Sequence, residues 1–340
     1  MIKPKHFTVL AGVTIISVVL AAGLYASANR FSPGRVEGQL LVPALARDVN
    51  TVAAVEIAQG GKKLTVERSG EQWKLKERAG YPANAEKARA LVLALASAEA
   101  IEPKTANKDR YSLLELEDPA AKDAKSRHVR VLDDKGKPLA DVILGKSRGD
   151  AFGSGRGGFY VRRPGDAQTW LASGEPKATA EVRDWVQTGV FSTDTAKITR
   201  LTIEHPGEAP LVIEKGGDEK EKFKLAQIPE GKKLKQGAAV DPIPQAFSSI
   251  DLEDVRKLDA TPAGDKVSVL TLESEGGPKV TFRLRREDDG AWLSLTAAGN
   301  GDAKTAADDI NAKATGWEYK IPTWKADAMA KRAADLFETS

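Results

Sequence analysis

Apolar and polar positions alternate along most of this chain in short runs separated by turn residues. Within VAAVEIAQGGKKLTVERSGEQWKLKE the runs are marked by Val55 and Ile57, Leu64 and Val66, and Trp73 and Leu75. Successive side chains leave opposite faces of a strand, so period-two alternation broken by glycines and charged tips predicts a half-buried antiparallel meander. The pattern returns in ITRLTIEHPGEAPLVIEKGGDEKEKFKLAQ, with Leu201 and Ile203, Leu211 and Ile213, and Phe223 and Leu225. Both stretches predict three strands.

A helix signal follows each meander. Asn84 is placed to cap a helix whose Ala88, Leu91, Val92 and Leu95 fall at i, i+3, i+4 and i+7, so they share one face. In the second stretch Asp241 is the expected cap, Pro242 suits the first turn, and Phe247 and Ile250 form a shorter stripe that Pro244 keeps brief. Hairpin patterns come next, HVRVLDDKGKPLADVILG and KVSVLTLESEGGPKVTFRLR, then the aromatic strands GGFYVRR and GAWLSL. The same order at a spacing of roughly 140 to 150 residues predicts an internal duplication. The expected fold class is α+β, mainly antiparallel β, with two tandem duplicated β-rich units, each with a short helix, over residues 48–191 and 192–340. A C-terminal stripe of Trp324, Met329, Ala333, Leu336 and Phe337 predicts one further helix docked on the second unit.

One segment breaks the alternation. Residues 7–28 carry no charge, and about 22 residues at 1.5 Å each reach roughly 33 Å, enough to cross a bilayer. The expectation is a transmembrane helix over residues 1–28, built on Phe7, Val9, Leu10, Val13, Ile15, Ile16, Val18, Val19, Leu20 and Leu24, then a linker over 29–47. Ala26–Ser27–Ala28 also has the form of a signal-peptidase site, but the apolar run exceeds the 7 to 15 residues of a cleaved signal and favours a retained anchor. An N-terminal signal-anchor before a large polar body places that body outside the cytoplasm, on the periplasmic side of a bacterial inner membrane.

Charge and composition narrow the chemistry. The 51 Lys and Arg nearly balance 48 Asp and Glu and are interspersed, which argues against nucleic acid as a partner. With no cysteine, thiolate chemistry and Cys-ligated metals are excluded. His6, His128 and His205 are far apart, without a ligand spacing. No cofactor is expected.

The octet ADVILGKS, residues 140–147, fits a relaxed phosphate-loop pattern. Asp141, Val142, Ile143 and Leu144 read instead as the second arm of a hairpin, and the glycine-rich segment after Ser147 leads to a strand where a phosphate loop needs a helix. No nucleotide is therefore expected. That segment reads as a mobile loop or, with Arg148, Phe152, Arg156, Arg162 and Arg163, as a basic contact loop for an acidic partner or glycan. The acidic groups at 115–118, 287–289 and 308–309 read as solvated tips.

Several phrases carry a resemblance: LLVPALARDVNTVAAVEI, ILGKS with GGFYVRR and TWL, EVRDWVQTGVFSTDTAKITRLTIEH, and the ending TGWEYKIPTWKADAMAKRAADLF. Together they resemble a family of membrane-anchored proteins defined as a domain of unknown function, numbered forty-three forty. The resemblance implies an accessory or scaffold beside ABC-type transporter permease and auxiliary subunits of the gliding-motility kind, and it implies no catalytic motif. Two alternatives stay open. An envelope glycan- or peptidoglycan-binding module would need an exposed aromatic platform at Trp170, Trp185 or Trp317, and a hydrolase would need His128 or His205 to meet a carboxylate and a nucleophile.

Overall fold

A computed structural model describes Ser17 and residues 38–338, apart from 154, 218–221, 229, 259–263 and 265. Apart from Ser17, the predicted anchor from Phe7 to Leu24 lies outside the described residues. Among the described residues no helix is long and apolar enough to cross a membrane.

The chain is mainly antiparallel β with few helices. A first sheet contains β1 (Gln39–Leu40), β2 (Val52–Gln59), β3 (Lys62–Ser69), β4 (Gln72–Leu75), β5 (Tyr81–Pro82), β6 (Glu99–Pro103), β7 (Arg127–Asp133), β8 (Pro138–Arg148), β9 (Gly158–Arg162) and β10 (Thr169–Ser173). Short strands β11 (Gly189–Ser192) and β15 (Ser249–Asp251) pair with each other. A second large sheet holds β12 (Ile198–Glu204), β13 (Leu211–Lys215), β14 (Phe223–Leu225), β16 (Asp254–Lys257), β17 (Val267–Ser274), β18 (Lys279–Glu287), β19 (Gly290–Ala298) and β20 (Trp317–Ile321). The helices are α1 (Pro43–Arg47), α2 (Ala85–Ala96), α3 (Pro242–Gln245), α4 (Asp302–Ala314), α5 (Thr323–Met329) and α6 (Ala333–Leu336).

Strand order runs β5-β4-β3-β2-β7-β8-β9-β10-β6-β1 in the first sheet and β14-β13-β12-β17-β18-β19-β20-β16 in the second. Aligning β2 with β12 and β7 with β17 brings eight consecutive strands into the same order, from β4 to β6 and from β14 to β16. The alternating residues explain why each sheet folds as it does: Val55, Ile57, Leu64, Val66, Trp73 and Leu75 are buried in the first meander, and Leu201, Ile203, Leu211, Ile213 and Phe223 in the second. One contiguous apolar core joins both sheets.

The α2 helix forms where the sequence signals it. The Asn84 side chain accepts hydrogen bonds from the amides of Glu86 and Lys87, and Ala88, Leu91, Val92 and Leu95 face the core. Each of the two buried leucines contributes at most about 2 kcal/mol of apolar burial. A second, smaller cluster of Tyr111, Leu116, Ile143, Tyr160 and Leu171 lies on the other face of β8 to β10. That region is therefore covered on both sides.

Three local expectations are corrected. Asp241 does not cap α3 through its side chain, because its carboxylate accepts the amide of Phe223 at 2.8 Å instead. Ile250 belongs to strand β15, not to a helical stripe. The C-terminal helix is broken in two, and Trp324 is 67% exposed. The break has a cause: Asp335 accepts the Arg332 amide at 2.8 Å and starts a new helix, while the β12–β13 turn grips residues 331 and 332. There the His205 ring donates to the Lys331 carbonyl at 3.2 Å, and Glu208 pairs with Arg332.

Candidate functional site

The phosphate-loop-like octet lies in β8. Arg127 pairs with Leu144, His128 with Ile143, Val129 with Val142 and Arg130 with Asp141, so the four variable residues are committed to a ladder. On its other side Leu144 pairs with Val161 but Ser147 pairs with Phe159, three steps along β8 against two along β9. Gly145 and Lys146 thus sit at a β-bulge. A bulge shifts the two-residue alternation by one, so Ser147 shares its sheet face with Leu144, Phe159 and Arg127. Lys146 turns the other way, with its ammonium 5.9 Å from the Tyr160 ring centroid. Only glycine fits at 145, because a Cβ there would lie 2.2 Å from the Leu114 carbonyl oxygen.

The loop after β8 is folded back on itself. The Phe152 amide donates to the Arg156 carbonyl at 3.2 Å, and the Arg156 amide to the Gly153 carbonyl at 3.0 Å. Phe152 packs on the smaller apolar cluster. Arg162 donates to the Leu116 carbonyl at 3.0 Å and lies over Tyr111, while Arg163 reaches the Leu41 carbonyl at 2.8 Å. These two arginines tie distant segments together. Arg148, 3.6 Å from Asp150, and Arg156 stay at the exposed tip.

The remaining sequence candidates are dispersed. The His128 ring donates to Asp141 at 2.7 Å, and Arg130 bonds Glu56 at 2.9 Å beside it. His205 is buried and takes a hydrogen bond from the Ser268 hydroxyl at 2.8 Å. The structure does not bring either histidine together with both a carboxylate and a hydroxyl among these contacts. No group of three or more metal-ligating side chains forms among the described residues. Glu117 caps the amides of Lys125 and Ser126, Glu287 binds Arg256, and Asp308 lies on α4 paired with Lys304. Glu117 is therefore a structural cap, while Glu287 and Asp308 are exposed acids paired at the surface. Trp185 is buried and donates to the Thr179 carbonyl at 2.8 Å. Trp170 is half-buried against the core.

The feature that sequence reasoning missed is the junction of the two sheets. Arg78, just after β4, makes a two-pronged contact with Asp254 of β16 at 2.6 and 2.8 Å. The hydrogen bond to Asp254 holds the Arg78 guanidinium above its ordinary pKa. Next to it Tyr81 of β5 stands edge-on to Trp317 of β20, with centroids 4.8 Å apart, and 6.4 Å from Tyr319. Burial raises the pKa of both tyrosines, so both stay neutral at physiological pH. A groove of about 820 Å³ opens here, with Tyr81, Asn84, Gln187, Lys313, Trp317 and Tyr319 on its walls. Lys257 lies over the Trp317 ring at 4.5 Å. Strand periodicity places each of these aromatics on its own sheet and carries no information about the pairing of distant edges.

Residues 73–268 match the family described as Domain of unknown function (DUF4340). The chain belongs to that family. The DUF4340 stretch spans the bulge at Gly145, the arginine-bearing loop and the first wall of the junction groove, while Trp317 and Tyr319 lie beyond it. No curated protein and no solved structure matches the chain.

Proposed function

We propose that this DUF4340 protein is a membrane-anchored, extracytoplasmic accessory or scaffold subunit of an ABC-type transport system, acting by binding and not by catalysis. The observation that carries the binding reading is the junction groove. It combines aromatic walls with amide and ammonium groups, at about 820 Å³, and it lies between two sheets fastened by Arg78 and Asp254. A groove of that makeup suits an extended segment of another protein, with rings supplying contact area and Asn84 and Gln187 supplying backbone-directed hydrogen bonds. The transporter as partner and the periplasmic placement rest on the family resemblance and on the uncharged run of residues 7–28. The shared strand order supports an origin by tandem duplication of units near 48–191 and 192–340.

The test is affinity purification of the tagged full-length chain from its own membranes in mild detergent, beside a chain lacking residues 1–28. Recovery of permease and ATPase subunits with the full-length chain supports the proposal. Recovery of cell-wall material in their place establishes the envelope-binding module instead.

A further inference from the structure

A second cavity is lined by residues between Lys87 and Trp185, on the core-side face of the first sheet. It holds about 700 Å³ between α2, the ends of β7 and β8, and the segment 175–185. That size suits a small organic molecule. Three cations border it: Lys87 from the first turn of α2, Arg127 from the start of β7, and Lys177. The two lysines have no ion-pair partner among the described residues.

Arg127 is the group that calls for an explanation. Its Nη2 donates to the Gly145 carbonyl at the bulge, and its Nε is buried without a hydrogen-bond partner. Burial lowers its pKa from the ordinary arginine value. A guanidinium held in that condition gains from an oxyanion, since charge-assisted hydrogen bonds are about twice as strong as neutral ones. The bulge supplies a fourth group. Because Gly145 and Lys146 shift the alternation of β8, the exposed Ser147 hydroxyl comes to the Arg127 side of the sheet; a regular ladder would turn it to the opposite face. Glu175 and Asp184 also border the cavity, and Asp184 is engaged by the Thr179 hydroxyl at 2.6 Å. The apolar side is given by Leu91, Pro176 and Trp185.

We propose that this cavity binds a small acidic organic molecule whose carboxylate or phosphate oxygens meet Arg127, Lys87, Lys177 and Ser147. The site is independent of the transporter reading, because it uses none of the junction-groove residues. It also gives the Gly-Lys-Ser segment a role quite different from a nucleotide loop: a bulge that aims one hydroxyl and braces one arginine.

The test is calorimetric titration of the full-length chain in detergent at low salt with citrate, with inorganic phosphate and, as a neutral control, with glycerol. Saturable binding of citrate or phosphate is expected, and the two arms distinguish a carboxylate from a phosphate ligand. Lys87→Ala combined with Lys177→Ala, both at unpaired surface lysines, is expected to weaken it about tenfold or more, the order of one lost charge-assisted contact. Ser147→Glu, which adds a repelling charge at an exposed position, is expected to abolish it. Arg127→Leu is expected to abolish it too, with circular dichroism checking the fold. No saturable binding of either anion by the wild-type chain overturns the proposal, as does binding that the lysine pair and Ser147→Glu leave unchanged.

Discussion

The two large sheets share a strand order and differ in regularity. Between β18 and β19 the register runs without a shift from Lys279 opposite Ala298 to Glu287 opposite Gly290, closed by a two-residue turn. The equivalent pair in the first sheet, β8 and β9, carries the Gly145 bulge and a nine-residue connection over residues 149–157. The regular sheet pairs its inner charges with one another, although the buried Arg285 Nε, 2.9 Å from Glu287, makes no hydrogen bond. Glu318, 1% exposed, is bound by Arg256 and Arg285, and Arg256 in turn binds Glu287 and stacks on Trp292 at 3.8 Å. The irregular sheet leaves Arg127 half-satisfied beside a cavity. One strand order thus carries two local arrangements: a buried ion network braces the second sheet, and a register shift leaves an arginine beside a cavity in the first.

Breaking the ion network should have the largest effect. Glu318→Ala leaves two guanidinium groups without their buried partner and is expected to cost about 3 kcal/mol, the low end for broken buried pairs because both arginines are a third exposed. Urea unfolding measures this, and a loss under about 1 kcal/mol would show that the network is no more than a surface pairing. Filling the bulge comes next. Gly145→Val drives a side chain into the Leu114 carbonyl and is expected to cost about 2 kcal/mol, with loss of anion binding as well. Retained stability would mean that the segment 108–114 yields without resistance.

Loosening the junction is a smaller change. Arg78→Ala removes a pair whose side chains are 29% and 27% exposed and is expected to cost about 1 kcal/mol, while speeding amide exchange around Tyr81 and leaving the interiors of both sheets protected. Uniform exchange across the chain would refute a local role. The smallest effect concerns the buried Tyr319 and the half-buried Tyr81. Their folded pKa values are raised, so the stability they carry is fully present below about pH 10 and is lost as pH rises above it toward the folded values. Tyr81→Phe should therefore change stability by less than about 0.5 kcal/mol at pH 7 and flatten the decline above pH 10.

How far these features are legible in the sequence follows from the range of the interactions. The meanders, hairpins and α2 are legible because Val55, Ile57, Leu91 and Leu95 announce their faces within a few residues. The α4 helix is not, since its buried residues are only Ala307 and Ala314 and its Asn311 is fixed by two 2.8 Å bonds to Ala297 of β19. The broken C-terminal helix depends on His205 and Glu208, more than a hundred residues away in sequence. The sites are less legible still. The Gly-Lys-Ser motif shows strand formers but hides the bulge, because a register shift belongs to the pair β8–β9. The junction groove needs Tyr81 and Trp317 to meet, which period-two alternation cannot announce.

The central proposal is that the junction groove is the surface by which this protein binds an ABC-type transporter. A photo-crosslinking residue placed in living cells at Gln187, on the groove wall, and at Lys135, in the exposed β7–β8 turn, tests it most directly. The account predicts crosslinks to a permease or auxiliary subunit from Gln187 and none from Lys135. Crosslinks from Lys135 alone, or from neither position while the transporter still co-purifies, would contradict it.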